Sequence, residues 1–125
     1  MKFLTDEAAL FFLQRPEDLP LWEAMGPWLE TYFPDAEMIV HRTQITFRRR
    51  TGFLFLSLPP RKYAPKGTPC IQVSFGLFRP LSDRRVFASA HPTARRYTHH
   101  TLVHGPEELD AWLLNLLCEA AEAAM

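Results

Sequence analysis

The chain has 125 residues, room for one domain with a real apolar core, and no run of about 18 apolar residues that would require a membrane. Fourteen acidic side chains balance fourteen basic ones, and two cysteines are too few for a disulfide framework. The charge is unevenly spread: residues 1–37 hold eight acids and two bases, residues 38–104 twelve bases and one acid, residues 105–125 five acids and no base.

The first apolar patch carries Asp6 and Glu7 where a secretory leader would be basic, and no small-residue cleavage pattern follows, so it reads as mature structure. Thr5 can cap a helix that Pro16 ends. Asp18 can cap a second, with Trp22, Met25, Leu29 and Tyr32 as its apolar stripe. Gly26-Pro27 should kink or split that helix, and Pro34 closes it.

From residue 38 the period changes. "EMIV", "QITFRR" and "FLFLSL" are β-rich, with Thr51-Gly52 as a hairpin turn between the last two. "RKYAPKGTP" is a basic loop, "CIQVSFGLF" a strand, "RVFASA" a short strand in an irregular stretch, and "YTHHTLVH" the last strand. The final helix should open at Gly105-Pro106-Glu107-Glu108, with Leu109, Trp112, Leu113, Leu116 and Leu117 on its buried face. The expected fold is a single α+β domain over residues 1–125. It is a two-layer sandwich, with an antiparallel sheet of about five strands and the N-terminal and C-terminal helices on one face. Cys70 and Cys118 lie in apolar contexts and read as reduced thiols of a cytoplasmic protein.

Three histidines, His99, His100 and His104, suggest a metal site by composition. Strand alternation separates them. Adjacent His99 and His100 point to opposite faces, and His100 and His104 lie roughly 13 Å apart. No metal site and no cofactor is expected. If the more aliphatic strand sides meet the helices, the other face collects Gln44, Thr46, Phe53, Phe55, Ser57, Gln72, Ser74, Thr98 and His100. That polar, partly aromatic surface can hold a small molecule or a partner. If the last strand has the reverse parity, His99 and Tyr97 replace His100. Arg42 or Arg48 would supply positive charge. No G-x-S-x-G, H-E-x-x-H, P-loop or G-x-G-x-x-G motif is present, so no catalytic residues are assigned.

"HRTQITFRRRTGFLFLSLP" followed by "YTHHTLVHGPEELDAWL" resembles a family of small bacterial domains of unknown function, some labelled predicted transport proteins. Arg42-Thr43-Gln44-Ile45 matches that family's hairpin start, Tyr97, His99 and His100 its aromatic-x-His-His strand, and Glu107, Glu108 and Asp110 its acidic helix opening. The resemblance spans roughly residues 15–122 and implies no activity. More distantly, the order of elements resembles YdhG-like and frataxin-like domains. That likeness implies iron handling through an acidic ridge, here Asp6, Glu7, Glu17, Asp18, Glu23, Glu30, Asp35 and Glu37, although the adjoining Met38-Ile39-Val40-His41-Arg42 carries no acid and the next strand is strongly basic.

The expected function is a non-enzymatic cytoplasmic module. It binds a small anionic ligand or a partner on the open sheet face through Arg42, Gln44, Arg48, Ser74 and His99 or His100. Two alternatives stand beside it: nucleic-acid binding through the arginine-rich hairpin at Arg48, Arg49 and Arg50, and frataxin-like metal handling. Monomer and homodimer are both open.

Overall fold

A computed structural model describes residues 2–125. Helix α1 (Asp6–Phe12) and helix α2 (Leu19–Tyr32) precede six strands, β1 (Glu37–Val40), β2 (Ile45–Arg48), β3 (Gly52–Ser57), β4 (Ile71–Leu77), β5 (Val86–Ala90) and β6 (Tyr97–Val103), and helix α3 (Ala111–Ala123) ends the chain. All strand pairs are antiparallel, in the order β1-β2-β3-β4-β6-β5. The fold is α+β as expected, with six strands rather than about five. The short strand expected at "RVFASA" is a full member of the sheet as β5, which pairs only with β6 and forms an edge.

Alternation along β4 divides the sheet into two faces. Ile71, Val73, Phe75 and Leu77 are buried. On the helix side Met25, Leu29, Leu113 and Leu117 meet Leu54, Leu56 and Val73. Each such aliphatic side chain contributes about 1.5–3 kcal/mol when fully buried. The opposite face carries a register row of Ile39, Thr46, Phe55, Ser74, His100 and Ala88, one residue from each strand.

Three local expectations need correcting. The Gly26-Pro27 pair does not split α2, which runs unbroken through Pro27. Thr31 Oγ1 donates to the Pro27 carbonyl at 2.9 Å, and Gly26 is small because a Cβ there would lie 2.6 Å from a Leu4 methyl. The final helix starts at Ala111, after a 3-10 turn at Pro106–Glu108. Its cap is Asp110, whose Oδ1 accepts from Leu113 N–H at 3.1 Å. Asp18 occupies the cap position of α2 but makes no capping bond. Thr5 does cap α1, accepting from Ala8 N–H at 3.1 Å.

Asp18 instead holds the long loop between β3 and β4. Its Oδ1 accepts from Cys70 N–H at 2.8 Å and from the Arg15 guanidinium. Arg15 in turn donates to the carbonyls of Ala64, Pro65 and Thr68. Burial raises the Asp18 carboxyl above its ordinary pKa in spite of Arg15, and pushes the Cys70 thiol up to about 11. Gly67, at φ +90°, turns the loop as only glycine does without strain, and its N–H donates to Glu17 at 2.7 Å. Cys70 and Cys118 are free thiols. Among the described residues no helix is long and apolar enough to cross a membrane.

Candidate functional site

The open sheet face contains a shallow depression of about 260 Å³ lined by Gln44, Phe55, Ser57, Gln72, Ser74, Thr98 and His100. Its floor follows from the register. Ser74 is the small residue in a row where Phe55 stands on one side and His100 on the other. The sequence therefore makes a dip by placing small between large on three paired strands.

His100 is oriented by its neighbours. Its Nδ1 lies 2.6 Å from Ser74 Oγ and 3.4 Å from the Gln72 amide nitrogen. That amide nitrogen also donates to Ser74 Oγ at 3.4 Å. An amide N–H can only donate, so Nδ1 accepts and the ring proton sits on Nε2. Burial, and secondly the proximity of His99, hold the His100 pKa below its ordinary value, so the ring is neutral at physiological pH. The outward nitrogen is then an N–H donor with no protein partner among the described residues.

A cation approaches the same face. The Arg96 guanidinium donates to the Gly52 carbonyl and lies over Gly76, where a Cβ would come within 2.5 Å of it. Gly76 is the next residue on the open side of β4 after Ser74, and pairs with Thr98. Arg96 makes no ion pair with a carboxylate among the described residues. Sequence reasoning did not bring Arg96 to this face. The signal that could have found it is the isolated glycine inside β4, which marks a close approach of another group to the backbone.

The expected site residues separate into two groups. Gln44, Ser74 and His100 come together in the depression. Arg42 lies in the turn after β1, where its carbonyl accepts from the Gln14 amide at 3.4 Å, and it does not line the depression. Arg48 is engaged with Glu37 at 2.6 Å near the sheet edge. His99 is on the helix face, 1% exposed, with Nδ1 at 2.7 Å from Ser89 Oγ and Nε2 at 3.0 Å from the Arg79 carbonyl. A carbonyl only accepts, so His99 Nε2 carries its proton and both ring nitrogens are used inside the fold. Phe53 is also on the buried side. The pairing moves from Phe47↔Leu54 to Arg48↔Gly52, which leaves Phe53 as the bulged residue with its ring 5.5 Å from that of Phe33.

A second bulge shapes the other wall. Val86 pairs with Thr101 and Ala88 with His100, which leaves Phe87 between them. The Phe87 ring lies 6.2 Å from His100 and 5.0 Å from Tyr63 of the long loop.

The hairpin arginines are partly committed: Arg48 to Glu37, and Arg49 to Asp35 at 3.0 Å. Those are two of the acids in the expected ridge. Among the described residues no three His, Cys, Asp or Glu side chains are grouped closely enough to hold a metal ion. A wider depression, about 680 Å³, lies between the α1–α2 connection and the long loop, but its part-buried cation, Arg15, is occupied by Asp18 and the loop carbonyls. No protein-family model, curated protein or solved structure matches the chain.

Proposed function

We propose that the protein is a non-enzymatic, cytoplasmic binding module that takes a small anionic ligand on its open sheet face. One observation carries this reading. The neutral His100 presents Nε2–H outward on the same face where Arg96, free of any carboxylate among the described residues, rests over Gly76. A hydrogen-bond donor in the depression and a permanent positive charge beyond its rim, on the same sheet face, suit a carboxylate or phosphate. The positive charge comes from Arg96 rather than from Arg42 or Arg48. The free thiols of Cys70 and Cys118 fit a reducing compartment.

The test is thermal denaturation of the purified protein with inorganic phosphate, sulfate and small carboxylates. Ligand at about a hundred times its Kd stabilises a fold by about 2.7 kcal/mol, a readable rise in Tm. The rise should be present in the wild type and lost in His100→Ala and Arg96→Gln. No rise with any anion, or the same rise in both variants, refutes the reading.

A further inference from the structure

Resting on that anion-binding reading, we infer that the ligand is a nucleotide whose base carries an exocyclic amine. Its base lies against Phe55, facing His100 and the two glutamines, and its phosphate lies against Arg96.

The depression offers more than positive charge. Gln44 uses its amide nitrogen on Thr46 Oγ1 at 3.2 Å, and Gln72 uses its own on Ser74 and His100. Each amide oxygen is left without a protein partner among the described residues. The outward display at this end is therefore two acceptors, from Gln44 and Gln72, beside one donor, His100 Nε2–H. The complement is an amine donor next to a ring-nitrogen acceptor, which is the edge that adenine and cytosine present.

The walls suit a flat ring. Phe55 and His100 are on strands separated by β4, about 9.5 Å apart at the strand spacing of a sheet. A planar ring stacked on Phe55 fits within that separation and turns its edge, not its face, toward His100 Nε2–H. His100 is backed by Phe87, and Phe87 by Tyr63, so the wall continues outward. The charged end is in register as well. Gly76, under Arg96, is four residues from Gln72 along β4, or about 13 Å. The amide end reads a base while the guanidinium end holds a phosphate.

The experiment is titration calorimetry of the intact chain with AMP, IMP, ribose 5-phosphate and inorganic phosphate. IMP keeps the flat ring and the phosphate but replaces the amine with a carbonyl. AMP should bind about tenfold more tightly than IMP or ribose 5-phosphate, the scale of one paired base edge. Gln44→Leu should reduce AMP to the affinity of IMP without altering ribose 5-phosphate, and Phe55→Leu should weaken AMP and IMP alike. Circular dichroism confirms that each variant is folded. AMP equal to IMP and to ribose 5-phosphate overturns the base assignment and leaves anion binding standing. No heat with any of the four removes both. Preferential AMP binding that survives Gln44→Leu and Phe55→Leu also overturns the assignment, since the base is then held elsewhere. A short oligoadenylate arm separates the sources of this chemistry. Binding no tighter than AMP identifies the free nucleotide, and tighter, salt-sensitive binding identifies the same unit within a single strand.

Discussion

Ser74 Oγ lies 2.6 Å from His100 Nδ1, and that bond decides which nitrogen of the imidazole faces outward. With Nδ1 used as an acceptor, Nε2–H is what a ligand meets. The pairing exists because β4 and β6 place these two residues directly opposite one another on the open face. The adjacent His99 belongs to the other layer.

The two histidines should therefore respond differently to the same change. His99→Ala opens a hole between β6 and the segment after β4, and leaves the Arg79 carbonyl without its donor. It should cost about 2–4 kcal/mol in urea unfolding. His100→Ala removes the part-buried contacts of Nδ1 with Ser74 and Gln72 on the open side and should cost about 1 kcal/mol. Equal losses would mean that the two faces are wrongly assigned.

Gly76→Ala probes Arg96 without touching its charge. The new methyl would occupy the place of the guanidinium, which is the far end of a flexible side chain and can swing away. Stability should change by less than about 1 kcal/mol, while phosphate affinity should fall about tenfold as the charge-assisted bond is lost. A variant that binds phosphate as well as the wild type would show that Arg96 over Gly76 has no part in binding.

The depressed His100 pKa gives a pH signature. The unfolded imidazole takes up its proton near 6.5, and the folded one only at lower pH, because burial disfavours the charged form. The unfolded state thus binds more protons as pH falls below 6.5, and His100's contribution to stability, full above that value, is lost on going down through the folded pKa. Urea unfolding between pH 8 and pH 5 should show this loss, and His100→Gln should flatten the part due to His100. Bound phosphate favours the imidazolium, so phosphate affinity should rise over the same descent. An imidazole titration by NMR that placed His100 above 6.5 would contradict both.

Asp18→Ala should be the costliest of these changes. It strips the partner from a part-buried Arg15 and from Cys70 N–H, and frees the long loop that Arg15 holds. A loss of about 3–5 kcal/mol is expected from denaturant unfolding. A loss under 1 kcal/mol would show that the loop is held by other contacts.

The layers, and the placing of Gln44 and Ser74 on the open face, were legible because alternation is a strong signal. "CIQVSFG" assigns its faces without help and sends Ser74 to the open side, whereas "YTHHTLV" alternates as clearly but leaves open whether His100 or His99 joins it, and the pairing of Ser74 with His100 decides. What was not legible depended on local irregularity. Phe53 was misplaced because the bulge against Arg48 reverses its side, and no residue type in "RRRTGF" announces it. Phe87 was missed for the same reason. The start of the last helix was misread because that segment offers several capping residues, and Asp18, which does hold the cap position of α2, makes no capping bond because Cys70 and Arg15 take its carboxylate. Arg96 was hidden by sequence distance: it reaches back to Gly52, and only the glycine at position 76 hints at a guest.

The central claim is that the open face, and not another surface, receives the anion. Two-dimensional NMR of isotope-labelled protein titrated with inorganic phosphate tests it directly. Shifts should concentrate on Gln72, Ser74, Gly76, Thr98, His100 and the Arg96 side chain, with α1, α2 and α3 unmoved. Shifts confined to the arginine hairpin or to the helices, or no shifts at all, would contradict it.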